Sequence, residues 1–180
     1  QLPLVPGAGI VYLTIGPMLL LAPFVLRELA GILPLFAALM LETAVAALCF
    51  MLLPVDPPVI DCCAPGLVGG LFHVADVLNL ERNDLPSLHV AFAFTLAAAF
   101  SARTGRVGAV LLYAWAVATA VSTLLTRQHN LLDVAGGMVL AAIVWPLASR
   151  WGRRPDVVAA FDVELFCLRN CGAFIARHRR

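Results

Sequence analysis

Five apolar stretches, each close to the length of a membrane-crossing helix, constrain the fold of this chain more than any other feature. They lie near residues 10–26, 32–53, 88–102, 107–126 and 131–149. A bilayer core about 30 Å thick requires roughly 20 apolar residues per crossing helix. Hydrophobic residues make up 62% of the 180 residues, more than a water-soluble core of this size can bury. We therefore predict an all-α, polytopic transmembrane helix bundle with about five spans.

Two mixed segments are predicted to lie along the membrane surface. Residues 54–87 form a polar connection, in which 67–80 has enough apolar residues for a short interfacial helix. After Trp151 apolar and charged residues alternate loosely, which favours a surface helix over a sixth span. We therefore predict a transmembrane domain over 1–150, which carries the candidate catalytic residues, and a cytoplasmic, Arg-rich amphipathic tail over 151–180.

The basic residues predict the orientation, because short cytoplasmic loops retain them. All 12 are arginines, and with five spans ten fall on one side while only Arg82 and Arg127 fall on the other. We place the ten in the cytoplasm and expect the tail to bind anionic lipid, not nucleic acid. The N-terminus then lies outside, so we expect a further segment before Gln1. Arginine without lysine is typical of a GC-rich bacterial genome, which suggests a bacterial inner membrane.

Polar residues at the ends of the spans are the candidates for function, because polar side chains are costly near a bilayer. His89 follows Pro86 and Ser87 in the first turn of the third predicted span. His129 lies between the fourth and fifth spans, forty residues later. That separation is about the length needed to cross the membrane once and return. Both histidines are therefore predicted at the same face.

These residues suit phosphoryl transfer, which depends on positioning and on charge stabilisation. His129 and Asp133 are four residues apart and are predicted to share a helix face, with the carboxylate bonded to one imidazole nitrogen. The other nitrogen is the candidate nucleophile, and His89 the candidate general acid. Arg127 and the free N–H groups around Ser87 are predicted to bind phosphate. No acidic cluster suggests a divalent cation, so we predict chemistry without metal or cofactor.

The same residues resemble motifs of the type 2 phosphatidic acid phosphatase superfamily. Its second motif reads Pro-Ser-x-His, as in Pro86-Ser87-Leu88-His89, and its third reads Ser-Arg-x5-His-x3-Asp, whose spacing Ser122, His129 and Asp133 match. The resemblance implies a phosphohistidine on His129 with Asp133 as its partner and His89 as the acid. It also implies a membrane lipid phosphate as substrate, Ser122 near that substrate, and a bundle of about six helices.

The chain departs from the family pattern at two places. The arginine of the third motif falls at Thr123, and Arg127, one helical turn further on, is predicted to present its guanidinium from the same face. The first motif, with a Lys and an Arg, has no match, and Arg82 is predicted to substitute in part. Leu88 and the prolines upstream resemble the inositol phosphorylceramide synthase-like phosphotransferases. Headgroup transfer to an inositol-like or other alcohol therefore stays open beside hydrolysis.

Two functions of other classes are consistent with the same residues. A membrane serine hydrolase would use Ser87 with His129 and would need an oxyanion hole. A non-catalytic carrier or scaffold would use the histidines to conduct protons or to bind a partner.

Overall fold

The fold is entirely helical in the part of the chain that the structure describes. This structure is a computed structural model, and it describes residues 3–52, 66–78 and 85–162. After a 3₁₀ turn at Pro6–Ala8, the helices are α1 Gly9–Leu13, α2 Ile15–Leu26, α3 Leu29–Leu52, α4 Gly66–Leu78, α5 Leu88–Ser101, α6 Arg106–Leu125 and α7 Leu131–Gly152. A short helical segment follows at 155–162. The predicted all-α class is confirmed.

Four segments are long and apolar enough to cross a bilayer. They are Pro6–Leu26, Leu29–Leu52, Arg106–Leu125 and Leu131–Gly152. They coincide with four of the five predicted spans, so the chain is a multi-pass membrane protein. Large side chains such as Leu20, Phe24 and Leu111 stand exposed on their outer surfaces, as expected of helices whose solvent is hydrocarbon.

The third predicted span, α5, is shorter than the others and lies inside the bundle. It has 14 residues, which gives a length of about 21 Å. Helices α2, α3, α6 and α7 all pack against it, and Val90, Ala93 and Leu96 are completely buried. This helix contacts other helices and not lipid, so its length does not have to match the thickness of the hydrocarbon layer.

The first span is broken between α1 and α2 at a position that the sequence explains. Pro17 has no N–H with which to bond the carbonyl of Leu13, where α1 ends. At the break, the Thr14 hydroxyl accepts a hydrogen bond of 2.9 Å from the indole of Trp115 on α6. The backbone N–H of Val5 donates to the carbonyl of Leu125 at the end of α6, at 2.9 Å. These contacts hold α1 alongside the C-terminal half of α6.

Glu42 is fully buried in the middle of α3 and is bonded to α5. Its Oε1 accepts a hydrogen bond of 2.5 Å from the hydroxyl of Thr95, which is also fully buried. An acidic residue inside a spanning segment is tolerated where it faces the bundle and has a partner. This bond joins the longest spanning helix to the central one.

The surface segments agree in part with their prediction. Helix α4 at Gly66–Leu78 confirms the helix expected at 67–80, and it packs against α1. The tail is described only as far as residue 162. Residues 163–180 lie outside the described part, so the boundary of the tail domain stays a prediction.

Candidate active site

A tight turn after α6 sets the direction of the chain that carries His129. Arg127 has a left-handed backbone with a φ of 57°. Its N–H donates to the carbonyl of Leu124, and the N–H of Gln128 donates to that of Thr123, both at 3.1 Å. This bonding pattern is a Schellman motif, which ends a helix and reverses the chain. It turns Gln128 back into the bundle, where it is 1% exposed, and leaves Arg127 exposed.

His129 and Asp133 form a buried pair, although they do not share a helix. His129 precedes α7, and its N–H donates to the carbonyl of Thr123 at 3.3 Å. Asp133 lies in the first turn of α7, where Oδ2 accepts a 2.7 Å hydrogen bond from the N–H of Asn130. The same Oδ2 lies 3.8 Å from Nδ1 of His129, and their side chains are 6% and 2% exposed. That separation suits an ion pair but is too long for a hydrogen bond.

The predicted geometry of this pair was therefore wrong in one respect. We expected both residues on one helix face with a direct hydrogen bond, whereas the helix begins only at Leu131. The carboxylate caps the helix start, as acidic residues at this position commonly do. The cap holds Asp133 against the turn, so the two side chains still meet.

The start of α5 is bonded directly to the start of α7. Ser87 is the N-cap of α5, and its Oγ accepts a 3.5 Å hydrogen bond from the N–H of Val90. The N–H of Ser87 donates to the backbone carbonyl of Asp133 at 3.0 Å. This N–H, which we predicted to bind phosphate, is therefore occupied. Leu88 and His89 are the first residues of the helix, and N–H groups at such positions have no acceptor within the helix.

Two adjacent glycines of α7 allow this close approach. A Cβ at Gly137 would lie 2.4 Å from the backbone oxygen of Ser87, closer than a real Cβ atom comes. A Cβ at Gly136 would lie 3.1 Å from the end of the Leu85 side chain and 3.3 Å from Pro86. Only a residue without a side chain at 137 lets the cap of α5 reach α7.

Tyr12 orients His89, and the sequence analysis did not identify it. Its hydroxyl lies 3.1 Å from Nδ1 of His89, and the two rings stack with centroids 4.0 Å apart and planes at 24°. Tyr12 is fully buried. The contact fixes the imidazole through Nδ1, so Nε2 is the nitrogen available for proton transfer. Tyr12 and His89 are 77 residues apart, and no local pattern links them.

Gln128 is a second residue that the sequence analysis missed. Among the described residues, neither amide atom of its buried side chain has a hydrogen-bond partner, and the same is true of both ring nitrogens of His129. A buried polar atom without a partner costs about 1–3 kcal/mol. Two neighbouring side chains that share this cost are typical of a site in which a ligand supplies the partners.

The predicted substrate-binding residues differ in where they lie. Arg127 follows the end of α6, so it cannot share the helix face of Thr123, and that expectation was wrong. Ser122 is buried, and its hydroxyl donates to the carbonyl of Thr119 at 2.7 Å. Arg82 lies outside the described residues. Ser87 is buried beside the candidate histidine His89.

The serine-hydrolase alternative lacks support in the described part of the chain. A serine hydrolase needs a Ser87 hydroxyl bonded to His129, but Ser87 Oγ is bonded to the N–H of Val90, and neither His129 nitrogen has a hydrogen-bond partner among the described residues. Within the same residues, no group of His, Cys, Asp and Glu side chains could hold a metal ion.

Comparison with known proteins links this geometry to a family. A profile of the PAP2 superfamily matches residues 7–147. The fold resembles the crystal structure of LpxE from Aquifex aeolicus, with a TM-score of 0.56 and 22% sequence identity over 77% of each chain. No curated protein matches the sequence significantly. The profile covers α1 to α6 and most of α7, and it includes both candidate motifs.

Proposed function

Because this chain belongs to the PAP2 superfamily and is a membrane phosphatase of that kind, we propose that it dephosphorylates a lipid phosphate through a phosphohistidine on His129. The observation that carries the proposal is the buried pair of His129 and Asp133, 3.8 Å apart, beside the start of the helix that bears His89. The pair supplies a nucleophile with its orienting carboxylate, and His89 supplies an acid.

In the first step, Nε2 of His129 attacks phosphorus while the bond to the lipid oxygen breaks. Nδ1 is the nitrogen nearer to Asp133, so Nε2 is the one left for attack. The leaving alkoxide takes a proton from Nε2 of His89. The imidazole of His129 becomes cationic when it is phosphorylated, and the carboxylate of Asp133 stabilises that charge. A shortening of roughly 0.8 Å would turn the ion pair into a hydrogen bond.

In the second step, water attacks the phosphohistidine and gives its proton to His89, which regenerates both histidines and releases phosphate. Tyr12 positions His89 in both steps, because a hydroxyl donates to Nδ1 of a neutral imidazole and accepts from Nδ1–H of an imidazolium. An alcohol in the place of water yields headgroup transfer by the same steps.

In this proposal, the phosphate is bound mainly by the side chain of Gln128 and by the first turn of α5. The amide nitrogen of Gln128 donates to one phosphate oxygen, and the N–H groups of Leu88 and His89 donate to others. The guanidinium of Arg127 adds charge from the rim. Ser87, Ser122 and Arg82 complete the substrate-binding set that the sequence predicts.

The site lies at the extracytoplasmic face in this proposal. Its support is the distribution of arginines. The end of the bundle opposite to His129 carries Arg27, Arg103, Arg106 and Arg150. Retention of basic residues in the cytoplasm then directs His129 outward.

The test is phosphate release from a panel of radiolabelled phospholipids by purified protein in detergent with EDTA, comparing wild type, His129→Asn and His73→Asn. His73 is exposed on α4 and serves as the control histidine. We expect turnover that resists EDTA, vanishes in His129→Asn and persists in His73→Asn. A brief reaction with labelled substrate should leave protein-bound label that is lost in acid and kept in base, as is characteristic of phosphohistidine.

The products separate the two acceptors, since water gives free phosphate and an added alcohol gives a new phosphoester. Equal turnover in His129→Asn, or bound label that survives acid, would contradict the assignment of the nucleophile.

A further inference from the structure

A cavity of about 330 Å³ lies at the end of the bundle opposite to His129. It is bordered by the connection between α2 and α3, the end of α5 and the C-terminal part of α7. Its walls are mostly small or apolar, with Leu26, Ala30, Ala99 and Trp145, and its polar lining is provided by Arg103 and Arg153. The cavity is therefore amphipathic, with two guanidinium groups against an apolar floor.

The charge of this cavity is positive in the described part of the chain. Arg103 is paired with one carboxylate, that of Glu28, at 3.2 Å, whereas Arg153 forms no ion pair among the described residues. The neighbouring Arg154 is engaged by Asp156 at 2.9 Å. One carboxylate against two guanidiniums leaves a net charge that matches a single anion.

The position of Arg103 is built into the packing of α3. A Cβ at Gly31 would lie 3.0 Å from Nη2 of Arg103, so the missing side chain makes room for the guanidinium against the first turn of α3. Arg103 is 37% exposed, which leaves its remaining N–H groups accessible to a ligand. An arginine fork of this kind suits two phosphate oxygens.

We propose that this cavity binds the phosphodiester of an anionic phospholipid in the leaflet opposite to the catalytic end. The ends of spanning helices lie at the depth of the lipid phosphates, where basic pockets between helices bind anionic headgroups. Arg103 and Arg153 take the phosphate, and the apolar wall around Trp145 takes the glycerol and the first methylenes. The inference is independent of the reaction at His129, because it concerns a different surface.

The test measures retention of phosphatidylglycerol and of phosphatidylcholine by the purified full chain, with native mass spectrometry after titration of each lipid. We expect wild type to prefer phosphatidylglycerol, and Arg103→Gln and Arg153→Gln each to weaken its binding by roughly 10-fold. Arg150→Gln is the matched control. Arg150 is also an exposed arginine near the C-terminal end of α7, but it does not line the cavity. It should bind both lipids as wild type does.

Glu28→Gln gives a prediction of opposite sign. It removes the carboxylate that competes for Arg103, so it should bind phosphatidylglycerol several-fold more tightly. If the role of Arg103 were only its ion pair with Glu28, the two variants would change together. Equal effects of Arg103→Gln and Arg150→Gln, or weaker binding in Glu28→Gln, would overturn the proposal.

A second arm separates a lipid from a free anion. Inorganic phosphate at millimolar concentration should not displace phosphatidylglycerol, because it lacks the apolar part that the cavity wall contacts. Displacement by inorganic phosphate alone, with the same sensitivity to Arg153→Gln, would assign the cavity to a free anion and refute the lipid.

Discussion

Replacing Gly137 with alanine should disable the site while leaving the bundle folded. The new Cβ would lie 2.4 Å from the carbonyl oxygen of Ser87, whereas a carbon and an oxygen in contact need about 3.3 Å. The start of α5 must therefore move by about 1 Å. Misplacement of reacting groups by that distance costs on the order of 10²-fold in rate, since His89 moves with Ser87 relative to His129.

The same change should also lower stability by a measurable amount. Overpacking costs about 1–3 kcal/mol, and the hydrogen bond from Ser87 to the carbonyl of Asp133 contributes about 1 kcal/mol that would be weakened. Gly136→Ala should be milder, because the tightest contact of its Cβ is the movable end of Leu85 at 3.1 Å. Gly16→Ala should be harmless, since nothing lies within 4 Å of its Cβ.

The assay compares kcat of the three variants well below their thermal unfolding midpoints, so that every sample is folded. The expected order of kcat is Gly16→Ala and wild type highest, then Gly136→Ala, with Gly137→Ala lowest. Retention of kcat within twofold of wild type by Gly137→Ala, or equal losses in all three variants, would refute the claim that close approach at Gly137 sets the geometry of the site.

Three further predictions concern single contacts. Tyr12→Phe keeps the ring stacked on His89 but loses the hydrogen bond, so kcat should fall roughly 10-fold. The pH profile of kcat should also shift, because Nδ1 of His89 loses the hydroxyl as its partner; an unchanged profile would make Tyr12 purely structural. Arg127→Gly relieves the left-handed backbone and should raise the free energy of unfolding by about 1 kcal/mol, while KM for the lipid rises. Arg127→Lys should change neither quantity. A lower thermal unfolding midpoint in the glycine variant would contradict the turn described here. Glu42→Leu should lower the free energy of unfolding by about 1–3 kcal/mol, because the Thr95 hydroxyl is left buried without its acceptor. Adding Thr95→Val should restore most of that loss. Additive losses in a double-mutant cycle measured by thermal unfolding would disprove the coupling.

Hydropathy alone located the spanning helices to within a few residues, because the bilayer imposes a length on each helix that does not depend on its neighbours. The exception is α5. Its apolar stretch was identified, but its central position was not, since a buried helix and a lipid-facing helix are equally hydrophobic. Only the contacts with α3, α6 and α7 distinguish the two cases.

The motifs gave the identities of the candidate residues but not their local geometry. Spacing suggested a helix through His129 and Asp133, yet the chain turns at Arg127, a residue type that rarely ends a helix in this way. That turn also decides the burial of Gln128, which no pattern in the sequence indicates. Tyr12 depends on a contact between distant parts of the chain, so it too needed the folded structure.

The short central helix has a consequence for how a lipid reaches the site. Its length of about 21 Å is less than the roughly 30 Å of hydrocarbon that separates the two headgroup layers. The surrounding helices are longer, with 24 residues in α3 and 22 in α7, so the lipid meets helices that span an undisturbed bilayer. The start of α5 is set back among them, where the N–H of Ser87 meets the carbonyl of Asp133 in the first turn of α7. In the proposed reaction, the lipid phosphate must therefore leave the headgroup layer and move inward between the helices to reach His89.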